Sequence, residues 1–528
     1  MLRIDQLRLL PDEPETVLLH KCARLLRVEP SALTGLTVLR RAIDARESLT
    51  FVYTVIVSAP QETALLRRCR DKRVTAYAPE QYALPASVDA PAVRPIVVGA
   101  GPAGLFAALV LAKCGARPIL LERGQCVEQR QRDVQRFWAT GELDTESNVQ
   151  FGEGGAGAFS DGKLNTGTRD VRHRFIMEQL VSCGAPADIL TDALPHVGTD
   201  MLHIALQRLR RQLLDAGADI RFGARLEGLT VQEGAVTAVT VRKAGTLYTL
   251  PARQVVLALG HSARDTFEML YDAGAAMEQK PFAMGVRIEH RQSAVDAARY
   301  RRLAGHPSLP PATYKLSCHL PNGRSAFSFC VCPGGQVVAA ASEARRVVTN
   351  GMSEYARDRE NINGALLLNV TPADFPDDHP LSGIRLQRQL EEAAFALGGG
   401  DYRAPCQRVE DFLAGRPSVG AGNVRPSYLP AVTYTDLHRC LPPFISETLA
   451  LALPELGRRL RGYDDPDALL TGVETRSSSP VRLVRDGHYE SNIRGVYPCG
   501  EGAGYAGGIL SAAADGMRCA ENILEVYR

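Results

Sequence analysis

The sequence lacks several things, and each absence removes a class of function. No apolar run in its 528 residues approaches the 18 or more needed to span a bilayer, so no membrane partner is expected. The opening stretch MLRIDQLRLLPDEPE has no long apolar core of the signal-peptide kind, which points to a cytoplasmic protein. Its 12 cysteines are scattered, with no C-x-x-C pair and no zinc-ligand spacing, so no metal is expected. A net charge of +2 gives no reason to invoke a nucleic acid or another polyanion. The short run Arg67, Arg68, Arg70, Lys72, Arg73 reads as a solvated helix face. Internal repeats and low-complexity tracts are also missing.

What is present is an ordinary folded composition, 45% hydrophobic and 23% charged, on a chain too long for one hydrophobic core. Residues 1–88 read as a small α+β, ferredoxin-like domain. Strands are expected at 2–10, 49–57 and 74–77 and helices at 18–26 and 61–69, a split βαββαβ order with 37–43 as an extra strand. A linker rich in Ala, Pro and Val follows at 83–95. Short apolar strands then alternate with helices, the signature of a parallel sheet in a Rossmann-like α/β domain over 95–280. From 281 to 470 the pattern loosens into Pro- and Gly-rich turns, as an inserted mixed α/β substrate domain would show. A strand–helix signal returns over 471–528, completing the first α/β domain.

The stretch from Pro95 to Gly104 is an apolar strand running into G-x-G-x-x-G and then a helix. Gly99 permits the tight turn, Gly101 lets backbone approach a pyrophosphate, and Gly104 lets helix and strand pack closely. Pro102 and Ala103 open the helix, whose N-terminus favours negative charge. A second strand ends at Glu122, 23 residues after Gly99, where a carboxylate can accept the hydroxyls of an adenosine ribose. Arg123 follows it at the same site. The bare glycine pattern recurs at 152–157 and 502–507, and only the first occurrence has the strand, helix and acidic residue around it.

Near the C-terminus, a strand ends in Gly500-Glu501, and Gly507, Gly508 and Ile509 open a helix. This resembles the second flavin motif of the glutathione-reductase-type FAD proteins. The resemblance implies FAD, with Glu501 on the ribityl chain and the 507–509 backbone facing the isoalloxazine. The apolar run 255–260 similarly resembles a third strand motif of that superfamily. The stretches FGEGGAGAFSDGKL (151–164), GHSARDTF (260–267), FAMGVRIEH (282–290), FSFCVCPGG (327–335), VTNGMS (348–353) and GVETRSSSPVR (472–482) resemble a narrower family. Its members are uncharacterised bacterial FAD-dependent dehydrogenase-like proteins. Ala158 and Gly364 stand where that family's pattern leads one to expect hydroxyl-bearing residues.

The glycine-rich loop 151–164 reads as flavin-contacting, through Gly154, Gly155, Ser160, Asp161 and Lys163, rather than as a free surface loop. Cys330 and Cys332 could form a redox or nucleophilic site, although their spacing favours buried structural thiols. His196, His290 and His319 are candidate proton carriers. Arg287 and Arg476 could clamp a substrate carboxylate, unless Arg476 simply pairs with Glu474.

The expected function is an FAD-dependent oxidoreductase passing two electrons to or from a small organic substrate. No second nucleotide unit is evident, so NAD(P)H is expected to visit only as a transient reductant. The alternatives are an FAD monooxygenase, or a flavin-bearing binding protein whose N-terminal domain docks RNA or a protein through Phe51 and Tyr53.

Overall fold

The computed structural model describes residues 1–46 and 49–528. Five three-residue strands form an all-parallel sheet, four of them fully buried and the edge strand Asp219–Arg221 half-buried. Their order is Val496–Pro498, Val255–Leu257, Ile96–Val98, Ile119–Leu121, Asp219–Arg221. The C-terminal strand therefore lies two places from the first one, and the two halves of the nucleotide fold share one sheet.

The helix Pro102–Lys113 is apolar almost all round, with every residue from Ala103 to Ala112 buried. One face meets the sheet, and another meets the terminal helix Ile509–Val526 through small residues. A Cβ on Gly516 would sit 2.0 Å from the carbonyl oxygen of Ala103, so only glycine lets these helices approach this closely.

Residues 1–76 form a four-stranded antiparallel sheet in the order Thr34–Asp44, Thr50–Ser58, Leu2–Leu9, Val74–Ala76. With helices Val17–Leu26 and Glu62–Arg68 this is the split βαββαβ arrangement, and the segment read as an extra strand is its edge strand Thr34–Asp44. Phe51 and Tyr53 are 8% and 3% exposed and belong to this unit's hydrophobic core, which explains both rings as packing. The edge strand docks on the rest of the chain. The Arg41 amide donates to the Thr191 carbonyl at 2.7 Å, and the Ala193 amide donates to the Arg41 carbonyl at 2.8 Å.

Between Phe282 and Glu474 the chain builds a second, eight-stranded sheet, mostly antiparallel. Its central strands Phe282–Arg291, Asn361–Val370 and Leu469–Glu474 are buried almost throughout. The helix Ser382–Gly398 joins this unit to the nucleotide fold through one carboxylate. Glu391 is fully buried and accepts from Arg264 at 2.7 and 2.8 Å and from Arg476 at 3.0 and 2.8 Å. Burial opposes its ionisation, but the two guanidiniums outweigh burial and hold the carboxyl well below the usual range.

This cluster yields a prediction. Glu391→Gln leaves two buried arginines without that counter-charge and should destabilise the protein by about 3–5 kcal/mol in denaturant unfolding at neutral pH. A depressed folded-state pKa stabilises above the unfolded value of about 4.3 and is lost as pH falls below it. The wild-type advantage should therefore shrink on acidification below that value.

Candidate functional site

The parallel sheet's carboxyl ends open on a cavity of about 1260 Å³, above the ~300–1,000 Å³ usual for small-molecule sites. Its wall includes Gly99, Gly101, Pro102, Ala103, Glu122 and Arg123 from the first half of the nucleotide fold. It also includes Gly155, Ser160, Asp161 and Lys163 from the glycine-rich loop, and Gly500, Glu501, Gly507, Gly508 and Ile509 from the C-terminal return. All three occurrences of the glycine pattern thus converge on one space.

Gly99 has φ +101°, and a Cβ there would lie 2.3 Å from the Ala258 carbonyl oxygen. Gly101, by contrast, meets nothing closer than the Gly155 Cα at 3.8 Å, so its backbone is open to a ligand. The helix that follows has Pro102 in its first turn, no side-chain cap and no acidic residue there. The helix beginning at Ile509 likewise lacks a side-chain cap and an acidic first turn, and a Cβ on Gly507 or Gly508 would touch nothing within 4 Å. Two helix N-termini therefore turn unfilled amides toward the cavity without a protein anion to satisfy them. That arrangement fits the phosphates and polar edge of a dinucleotide.

Gly104 and Gly154 do not line the cavity as expected of cofactor-binding residues. A Cβ on Gly104 would fall 1.8 Å from the Gly99 oxygen, and one on Gly154 would fall 2.4 Å from Leu206 Cδ1. Both are packing glycines that set the turn and the loop.

Glu122 is only partly free. Its Oε2 accepts the Ala100 amide at 2.7 Å, and its Oε1 accepts the Gly124 and Gly152 amides, both at 2.9 Å. This gathers three backbone segments around the strand end and leaves capacity on Oε2 for one further donor. The Arg123 guanidinium is occupied by Glu146 at 3.0 Å and Asp265 at 2.8 Å and lies 4.0 Å from the Phe151 ring centre.

The loop 151–164 is largely buried, because Arg130 gathers its backbone from beneath. This fully buried guanidinium donates to the carbonyls of Asn148 and Val149 at 2.8 Å and Glu153 at 2.7 Å. Ser160 is turned inward on the loop, donating to Gly157 O and accepting from Gly162 N. Asp161 is fully buried between Arg357 at 2.6 Å and Lys163 at 3.3 Å.

Among the described residues nothing donates to the Glu501 carboxylate, and burial, followed by the Cys330 thiol's charge, pushes it up to about 7. His196 lines the cavity, stacked on Tyr355 with Nε2 3.2 Å from that residue's carbonyl. His290 is buried outside the cavity wall, 2.8 Å from the Tyr463 carbonyl, and His319 bonds Ser325 on the exposed strand Ser317–His319.

Three expected catalytic side chains are placed differently. Arg476 does line the cavity, but its guanidinium is taken by Glu391, Ser262 and Ser342, so neither a substrate clamp nor a pair with Glu474 describes it. Arg287 is wholly buried behind the wall, donating to the Cys330 carbonyl at 3.1 Å and to Asn350 Oδ1 at 3.2 Å. Cys332 is buried too, and of these two thiols it is Cys330 that lines the cavity.

Several wall residues escaped the sequence reading. Glu474 lines the cavity with Arg287 Nε 3.4 Å from its Oε2, and that oxygen has no hydrogen-bond partner among the described residues. Burial, partly offset by Arg287, pushes its carboxyl up to about 8, so it is protonated at neutral pH. The Tyr314 hydroxyl is buried in the same wall, equally without a partner among the described residues. A Cβ on Gly364 would sit 3.0 Å from that hydroxyl, so the side chain missing there would have reached it. His261 is held neutral, near 3, by burial and by Arg476 and Arg264. Arg40 and Ile43 of the N-terminal edge strand complete the wall.

With this geometry in view, the comparisons decide the cofactor. Residues 94–158 match an FAD binding domain, and residues 281–477 match the FAD-dependent protein, C-terminal domain-like family. Residues 1–58 match a domain of unknown function. An uncharacterised protein of Clostridium beijerinckii is 44% identical over 531 residues, covering 100% of this chain and 99% of its own. This chain belongs to the same family. Its cofactor is FAD, a redox group, and the chain is an FAD-dependent oxidoreductase.

Among solved structures, the flavin-dependent brominase Bmp2 is similar at 12% identity and TM-score 0.37, over 82% of this chain and 79% of that one. A variant of E. coli quinol fumarate reductase FrdA is similar at 14% and 0.37, over 82% and 70%. The FAD-complexed glycerol-3-phosphate dehydrogenase of Bacillus halodurans is similar at 12% and 0.34, over 84% and 64%. Among the described residues no helix is long and apolar enough to cross a membrane.

Two outcomes are expected. If Glu501 accepts ribityl hydroxyls, binding needs its ionised form. FAD affinity of the apoprotein, measured by flavin fluorescence quenching, should then fall up to about tenfold per pH unit below 7. Glu501→Gln should bind more weakly and without that slope. For Glu474, a raised folded pKa means stability is lost as pH rises from the unfolded value through about 8. Glu474→Gln should therefore melt higher than wild type at pH 9, by an amount on the order of a few kcal/mol.

Proposed function

We propose that this flavoenzyme transfers an electron pair between FAD and a small organic substrate held against Tyr314 and Glu474. The observation that carries the reading is one cavity reached by two uncapped helix N-termini, by Glu501, and by two buried polar groups without partners. Residues 95–280 and 471–528 act as the FAD domain, of the glutathione-reductase type. Residues 281–470 act as the substrate domain, and 1–88 as a docked unit that supplies part of the wall.

The pyrophosphate would be held at Gly101–Ala103, with the Gly155 backbone opposite. Oε2 of Glu122 would take a ribose hydroxyl, Glu501 would hold the ribityl chain, and the amides of Gly508 and Ile509 would meet the flavin, the Gly507 amide being taken by Ser511 Oγ at 3.2 Å. When bound, FAD supplies a two-electron acceptor and donor at a single ring atom.

The chain's own part is to place the substrate and handle its proton. Glu474, raised to about 8 by burial, would give a proton from its carboxyl oxygen to the substrate and take it back in the reverse direction. Tyr314 Oη can donate to a substrate oxygen. Lys163, kept cationic by Asp161, favours negative charge on the ring or substrate beside it. Arg40, Arg299 and Lys315 are exposed wall residues and favour an acidic substrate. A cytoplasmic setting would supply NAD(P)H as a visiting reductant.

Anaerobic rapid mixing of the holoprotein with NADH and NADPH tests the donor. Bleaching of the visible flavin band by one of them is the expected result. If neither bleaches it, nicotinamide is not the donor.

A further inference from the structure

Most thiols in this protein sit in apolar surroundings, where burial pushes them up, to about 11 for Cys22 and about 12 for Cys406 and Cys440. The pair Cys330 and Cys332 is set differently. Their strand, Ser325–Ala339, slips register against Asn361–Val370 between Phe329 and Cys332. Cys330 itself has φ +43°, a left-handed conformation costly for a residue with a side chain.

The bulge has a consequence for sulfur chemistry. In a regular strand, residues two apart have Cα atoms roughly 6.6 Å from each other, near the upper limit of about 6.8 Å for a disulfide. At this bulge the two thiols meet, in a side-chain hydrogen bond between Cys330 and Cys332.

Cations surround the two sulfurs. Lys163 Nζ lies 3.7 Å from Cys332 Sγ, and Arg287 is anchored on the Cys330 carbonyl. Both cysteines are free, and Cys330 lines the same cavity as Glu501, Lys163 and Glu474. Cys332, followed by Lys163 and Arg287 against the cost of burial, draws the Cys330 thiol well below its ordinary range. Cys330 and burial in turn push Cys332 well above it. The pair is therefore split, Cys330 drawn toward the thiolate and Cys332 toward the thiol.

We infer that Cys330 and Cys332 are a dithiol–disulfide couple that exchanges an electron pair with the bound FAD. The inference rests on the FAD site described above. In the oxidising direction the Cys332 S–H bond breaks and a bond forms between the two sulfurs. Two electrons and that one proton pass to oxidised FAD, giving the anionic two-electron-reduced flavin. The reverse step returns them, breaks the S–S bond and restores one thiolate and one thiol. Lys163 steadies the thiolate, and a fully reduced protein holds four electrons per FAD.

Trypsin releases these cysteines on one peptide, 325–345, which contains no other cysteine. The holoprotein, with its flavin oxidised by ferricyanide and the excess removed anaerobically, is denatured in N-ethylmaleimide and digested. The couple predicts this peptide unlabelled and two hydrogens lighter, becoming doubly labelled after dithionite. Anaerobic dithionite titration should take about four electrons per FAD in wild type and about two in Cys330→Ser and Cys332→Ser. A doubly labelled peptide in flavin-oxidised wild type, with two electrons per FAD, overturns the couple and leaves the flavin site standing. Absence of any FAD to titrate would overturn both. The peptide readout uses wild type alone, so it decides the matter even where a serine variant does not fold.

Discussion

The buried contact of Glu391 with Arg264 and Arg476 is the joint on which the cavity depends. Each arginine comes from a segment that also lines the cavity, 260–266 on one side and 474–477 on the other. Glu391 comes from a helix of the inserted unit. Burying three charges is costly, and mutual pairing makes it tolerable, with Gln387, Ser262 and Ser342 accepting from the arginines and Thr475 donating to Glu391. The arrangement fixes how the inserted sheet sits over the nucleotide fold, and so where Glu474 and the bulged strand at Cys330 face the cofactor's cavity.

Within the cavity, charge is distributed by function. The wall near Glu122 is built from backbone: Gly101, the helix N-terminus after it, and the amides that Glu122 gathers. The wall also holds titratable groups whose environments push them apart. Glu474 and Glu501 are raised, His261 is neutral, and Asp161 is held ionised between Lys163 and Arg357, their charges outweighing its burial. Acid, base and fixed charge thus coexist at one pH, as proton-coupled electron transfer requires.

The nucleotide fold was legible in the sequence because its signals are local. A strand, a glycine turn, a helix and an acidic residue at set spacing announce themselves in one stretch, and Gly500-Glu501 repeats the idea. The N-terminal unit was legible for the same reason, through apolar alternation in 2–10 and the β-branched and aromatic run 49–57. Contacts between distant segments were not. Nothing in the sequence near Arg476 points to Glu391, 85 residues away, and Glu474 was the nearer but wrong partner. Tyr314 and His261 carry no pattern, and Cys330 reaches the cavity only because its strand bulges. Glu122 kept its place but lost part of its freedom, since the amides it binds come from a loop whose path the sequence does not specify.

The central claim is that two separated chain segments form one cradle for the whole of FAD. Titrating apoprotein with FAD and with FMN, by calorimetry under the same conditions, tests it most directly. The account predicts one FAD per chain and FMN weaker by about 100-fold or more, since FMN cannot use the adenosine seat at Gly101 and Glu122. Equal affinity for the two flavins, or no binding of FAD, would contradict it.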